Sequence, residues 1–129
     1  MTDGKARPAR PVKASVPFSP SFVKTEPDAA VTLVQFSSPQ CAPCRATHRI
    51  LAAAADLHSG ISHLEIDVAE RLDLARQYGI GRTPTTLVLD SNGHEKYRFT
   101  GPPRPEELTR VISDLVAPGG AALTEFRTS

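Results

Sequence analysis

A chain of 129 residues with 40% hydrophobic and 22% charged content is sized for one folded domain with a real core. Its net charge of +1 supplies no whole-chain attraction to nucleic acid, so none is expected as a partner. No apolar run is long enough to span a bilayer, and the start of the chain lacks the apolar core of a secretory signal, which points to the cytoplasm.

Residues 1–27 stand apart from the rest. Five of the twelve prolines fall there (Pro8, Pro11, Pro17, Pro20 and Pro27), beside Lys5, Arg7, Arg10 and Lys13. This composition predicts a flexible N-terminal segment, with Phe18, Phe22 and Val23 placed to dock as a short edge strand. Its basic character also suits a tether against anionic lipid, in a membrane-anchored form held by a segment absent from this chain.

A folded domain is expected over residues 28–117. "VTLVQF" (31–36) is apolar and rich in β-branched residues, as in a buried central strand. From Cys41 to about His58, Ile50, Leu51, Ala54 and Leu57 fall at helical spacing, and Ser59-Gly60 closes the helix with a glycine suited to a left-handed cap. "ISHLEIDV" (61–68) alternates, with Leu64, Ile66 and Val68 on one face and His63, Glu65 and Asp67 on the other. A short helix is expected over about 70–78, stopped by Gly79 and Gly81. Strands over 85–90 and 94–99 flank Asn92-Gly93, a strong hairpin signal. Pro105, Glu106 and Glu107 open a last helix with Leu108, Val111, Ile112 and Leu115 as its apolar stripe, and residues 118–129 form a tail. The order β-α-β-α-β-β-α predicts an α/β domain, a mixed central sheet flanked by helices.

The chemistry is concentrated in "SSPQCAPCRATH" (37–48), which holds the only two cysteines. So short a loop gains little as a structural crosslink. Cys41 is expected at the start of a helix, where unpaired N–H groups and the helix dipole favour a thiolate. Cys44 lies one turn further in, within bonding reach and less exposed. That asymmetry suits thiol–disulfide exchange, in which one thiolate attacks and a second thiol resolves the mixed disulfide. A zinc site would need about four ligands. His48 could serve as a third and His58 or His63 as a fourth, but no second ligand pair has the usual spacing, so no metal is expected. Covalent haem attachment needs histidine directly after the second cysteine, where Arg45 stands.

These features in this order resemble the thioredoxin family over about Val31–Val116. "VTLVQF" is similar to the strand before the family's active site, "CAPC" to its Cys-Gly-Pro-Cys, "HLEID" to the following strand, and "YGIGRTPTTLVLDSNG" to its proline turn and hairpin. The resemblance implies a thioredoxin-like fold and a redox-active disulfide between Cys41 and Cys44. It also implies a cis bond at Thr83-Pro84, and a substrate groove in which Thr83 offers its backbone to an extended partner segment.

The chain is a divergent member of that pattern. Gln40 stands where the family has tryptophan, Gln35 where it has a buried aspartate, His63 where a lysine often partners that aspartate, and Arg49 where a proline kinks the helix. Glutamine is no general base, so another group must take the Cys44 proton. His48, one turn after Cys44, is a candidate if it points toward Gln35; an ordinary helix histidine is the plainer reading. Arg45 is placed to add positive potential at Cys41.

The expected activity is reduction of protein disulfides by Cys41 as nucleophile and Cys44 as resolving thiol, without a cofactor, in a monomer. Its expected partners are disulfide-containing proteins and an upstream thiol reductase or membrane electron donor. The alternatives are a thioredoxin-like binding module without turnover and a disulfide oxidase or isomerase.

Overall fold

The computed structural model describes residues 4–8 and 29–116. The elements run β1 (Arg7–Pro8), β2 (Val31–Ser37), α1 (Ala42–Leu57), β3 (Ile61–Asp67), α2 (Leu72–Gln77), β4 (Thr85–Leu89), β5 (Glu95–Thr100) and α3 (Pro105–Val116). From β2 onward this is the expected order. The boundaries move by only one or two residues, the second helix spanning Leu72–Gln77.

The five-stranded sheet has the order β1-β5-β4-β2-β3. Strands β2 and β3 pair in parallel from Val31↔Ile61 to Ser37↔Asp67, while β4 runs antiparallel to both β2 and β5. All seven residues of β2 are buried, which explains why its sequence reads as a near-continuous apolar run. Alternate residues feed two cores. Val31, Leu33, Ile61, Val88 and Phe99 pack with Leu51 of α1 and with Leu108, Val111 and Ile112 of α3. On the other side, Val34, Phe36, Ile66, Leu87 and Leu89 pack with Leu74 of α2. Helix α1 runs without interruption past Arg49.

Several local expectations are corrected. Among the described residues an edge strand forms at Arg7–Pro8, within the basic stretch expected to be flexible, paired antiparallel with Arg98 and Tyr97. Phe18, Phe22 and Val23 lie outside the described residues. The same N-terminal stretch docks on the start of α3, where the Arg104 N–H donates to the Gly4 carbonyl at 3.0 Å. Gly4 has φ +83°, and a Cβ there would meet the Arg104 side chain at 2.6 Å, so glycine is required.

Gly60 is not left-handed. Helix α1 closes instead on His58 in an extended conformation, and Leu57, expected in the apolar stripe, is exposed because it is the last helical residue before the chain turns away. At the hairpin only Gly93 has positive φ. A two-residue type I′ turn would need both central residues positive. The Asp90 carboxylate shapes a longer turn by accepting from the N–H groups of Asn92 and His94, and the ladder is irregular between Val88 and Leu89. Among the described residues, no helix is long and apolar enough to cross a membrane.

Two hydroxyls are sealed in the core without a partner among the described residues, those of Thr47 on α1 and Thr86 on β4. A buried unpaired hydroxyl costs more than a methyl group of the same shape. Thr47→Val is therefore expected to stabilise the fold by about 1 kcal/mol, read as a higher urea midpoint with unchanged slope. A lowered midpoint would show that the hydroxyl is bonded in solution.

Candidate active site

Cys41 is the N-cap of α1, with extended backbone angles (φ −104°, ψ 101°). A cap residue normally offers a side-chain oxygen to an orphan N–H of the first turn. Here the sulfur takes that place: the Cys44 N–H, at the third helical position, donates to Cys41 Sγ at 3.1 Å and also to the Cys41 carbonyl. Pro43, in the first turn, has no N–H to leave unpaired. An anionic sulfur at this position would accept the same hydrogen bond and face the positive end of the helix dipole.

Cys41 and Cys44 are joined in a disulfide. Cys41 is half-buried, whereas Cys44 is 3% exposed. Incoming groups therefore reach the first sulfur more readily than the second. The disulfide borders an open cavity of about 450 Å³ lined by Ser38, Pro39, Arg45, His48, Arg49 and Glu65 as well as both cysteines. Arg45 and Arg49 are exposed on α1 and place two positive charges at this cavity.

The Thr83–Pro84 bond is cis. Pro84 is buried and Thr83 half-buried, and neither lines the cavity. They meet the site from another side, through a 3.2 Å hydrogen bond between the hydroxyls of Ser38 and Thr83. The Gly101 N–H donates to the Pro84 carbonyl at 2.8 Å, with Gly101 at φ +88°. That bond ties the proline turn to the approach to α3.

Beneath Cys44 lies a polar patch in a face that is otherwise apolar. Gln35 is fully buried, and its amide nitrogen donates to the Cys44 carbonyl and to Ser37 Oγ, both at 2.9 Å. A carbonyl only accepts, so the amide orientation follows from the contact. Gln35 Oε1 must then accept, and His63 Nε2, 3.1 Å away, must carry the proton. Ser37 Oγ, already accepting from Gln35, turns its own hydrogen toward Glu65 Oε2 at 2.8 Å. The other carboxylate oxygen of Glu65 accepts from His48 Nδ1 at 2.9 Å. The rings of His48 and His63 lie 5.0 Å apart.

This arrangement corrects one expectation. His48 points to Glu65, and the histidine on Gln35 is His63. Ser37 and Glu65 were not singled out from the sequence. The available signal was the alternation itself: Gln35 and Ser37 on β2, and His63 and Glu65 on β3, repeat at two-residue spacing along paired strands. Among the described residues, no group of three or more His, Cys, Asp or Glu side chains is arranged to hold a metal ion.

The comparisons with known proteins agree with this geometry. The family model for the thioredoxin-like domain matches residues 19–115. Thioredoxin H2 of Arabidopsis thaliana is 29% identical over 115 residues, covering 88% of this chain and 85% of that protein. The thioredoxin of Mycoplasma pneumoniae is 31% identical over 81 residues, covering 63% of this chain and 78% of that protein. Among solved structures, a mutant thioredoxin from Halobacterium salinarum superposes with a TM-score of 0.62 at 25% identity, covering 68% of this chain and 76% of that one. The chain belongs to the thioredoxin family. Its fold and its Cys41–Cys44 disulfide define a thiol–disulfide oxidoreductase.

Burial holds the His63 pKa below the ordinary histidine value of 6.5, with nearby His48 adding to the lowering and Glu65 opposing it. Native His63 thus resists protonation where the unfolded chain accepts it. Stability is therefore expected to fall as pH drops from about 6.5 toward the lowered native value, and to level off beneath it. His63→Gln keeps a donor for Gln35 and should flatten that part of the profile. Urea midpoints across pH test this, and an unchanged slope in His63→Gln would assign it to another group.

Proposed function

We propose that the protein reduces disulfides in partner proteins through the Cys41–Cys44 couple. The observation that carries this reading is the unequal placement of the two sulfurs. Cys41 is accessible and accepts a helix-end hydrogen bond, while Cys44 is buried one turn behind it. In the reduced protein the Cys41 thiolate attacks one sulfur of the target disulfide, forming a mixed disulfide and expelling the other target sulfur as thiolate. Cys44, once deprotonated, attacks Cys41 Sγ, re-forming the internal disulfide and releasing the second target sulfur. The two electrons gained by the target come from the Cys41–Cys44 dithiol, so each turnover needs an upstream thiol reductase or membrane electron donor.

Thr83 and Pro84 reach the site through Ser38, and in this reading the Thr83 backbone pairs with an extended segment of the partner. Gln40, exposed beside Cys41, gives this docking surface a polar side chain. Gln35 positions Cys44 from below, and Arg45 adds positive potential at the cavity. The protein is read as a monomer acting in the cytoplasm, with residues 28–117 as the working domain, to which the described stretch 4–8 adds the edge strand Arg7–Pro8.

Insulin reduction driven by dithiothreitol is expected to be accelerated by the wild type and to drop to the uncatalysed rate in Cys41→Ser. Equal rates for the two proteins would leave a binding module without turnover. Equilibration with glutathione fixes the direction, and a couple more oxidising than glutathione would overturn the reductase reading. Arg45→Ala is expected to move the titration of the Cys41 thiolate, followed by its ultraviolet absorbance, to higher pH. An unmoved midpoint removes Arg45 from the site's electrostatics.

A further inference from the structure

The reading just given leaves a proton unaccounted for. Cys44 must lose its hydrogen before it attacks Cys41 Sγ, and the buried side chain beneath it is an amide. Gln35 has both amide hydrogens committed, to the Cys44 carbonyl and to Ser37 Oγ, and its oxygen accepts from His63. It holds the backbone of Cys44 in place and has no capacity to receive a proton.

Two groups with that capacity line the same cavity as Cys44: His48 and Glu65. The direction of their hydrogen bond assigns them different parts. A carboxylate can only accept, so His48 presents Nδ1–H to Glu65 Oε1 at 2.9 Å. In the neutral ring the lone pair is then on Nε2. A carboxylate that fixes one ring nitrogen as donor leaves the other as base, and its charge stabilises the imidazolium that forms. Glu65 is itself held by the Ser37 hydroxyl at 2.8 Å. Since Gln35 bonds both Ser37 and Cys44, the dyad and the resolving cysteine share one hydrogen-bonded frame. His63 does not line the cavity, so it is not placed for the same task.

We propose that His48, with its ring held by Glu65, receives the Cys44 proton during resolution of the mixed disulfide. This rests on the oxidoreductase reading and supplies its missing step. The Cys44 S–H proton passes, directly or through solvent in the cavity, to His48 Nε2. The Cys44 electron pair forms the bond to Cys41 Sγ, the bond from Cys41 to the target sulfur breaks, and the target leaves as thiolate. The imidazolium then returns its proton to solvent or to that thiolate. Glu65 is the positioning residue. The charged groups around the ring are Glu65 and His63 from β3 and Arg45 and Arg49 from its own helix. The first of these favours the imidazolium, and the arginines, like a protonated His63, oppose it.

Ellman's reagent, mixed with the reduced full chain in a stopped-flow instrument, reads both steps. Attack by Cys41 releases one thionitrobenzoate and resolution by Cys44 releases the second, so Cys44→Ser should release only one. In the wild type the second phase is expected to slow on acidification, with an inflection where the base takes up its proton. His48→Gln, which still donates to Glu65 but cannot act as a base, should abolish the inflection and lower the ratio of second- to first-phase rates about tenfold. Glu65→Gln should lower the ratio and move the inflection to lower pH, and Glu65→Asp should recover part of both. A His48→Gln protein with wild-type ratio and inflection overturns the proposal, as does an inflection that vanishes in His63→Gln instead. A wild type that releases only one equivalent fails differently, by showing that Cys44 does not resolve at all, and it removes the oxidoreductase reading together with the proton step.

Discussion

The buried amide of Gln35 is the constraint around which the site is organised. It lies in the central strand with no access to solvent, so its hydrogen-bonding capacity has to be met by neighbours. Cys44 supplies a backbone carbonyl, Ser37 a hydroxyl and His63 a ring N–H, all at 2.9 to 3.1 Å. An unmet partner here would cost about 1–3 kcal/mol. The bond to the Cys44 carbonyl pins the first turn of α1 to the sheet, and that turn carries both sulfurs. An apolar residue in this position would free the Cys44 carbonyl from the sheet, remove the donor to Ser37 Oγ and leave His63 Nε2–H without this acceptor.

The same bond accounts for the division of labour along the sheet face under α1 and α3. Away from the disulfide that face is apolar, with Leu33, Ile61, Val88 and Phe99 packed against Leu51 and Val111. At the disulfide end, Gln35, Ser37, His63 and Glu65 replace hydrophobes, and the sheet changes from a core surface into a hydrogen-bonded floor. The carboxylate of this network sits at the rim of the cavity, where Glu65 can be solvated and still reach His48. A neutral amide beneath Cys44 avoids burying a charge, which is expensive unless it is fully paired.

Much of the fold was readable before any coordinates. The β-branched run in 31–36, the helical spacing after Cys41 and the acids after Pro105 each named an element that the structure contains, because each is driven by local propensity and by which face must be buried. The rest turned on particular contacts that propensity does not state. Arg7–Pro8 forms the edge strand because β5 offers it a free edge, and nothing in the basic stretch announces that pairing. Leu57 fits the helical stripe but ends exposed, because burial depends on what lies opposite and not on spacing alone. The turn at Asn92-Gly93 follows the Asp90 carboxylate, whose two backbone contacts outweigh the dipeptide's own preference.

By itself, the sequence determined which two sulfurs are joined. CxxC between a buried strand and a helix places one sulfur at a helix end and the other a turn behind, and this follows from helix geometry alone. Tertiary structure decided the company they keep. His48 lies seventeen positions from Glu65, Gln35 twenty-eight from His63, and Ser37 twenty-eight from Glu65. Parallel pairing in the register Gln35↔Glu65 brings two strands' polar residues together under one helix turn. Spacing along a chain states which residues share a face. Only the packing of helix on sheet states which of them touch, and here it turned His48 away from Gln35 and onto a carboxylate.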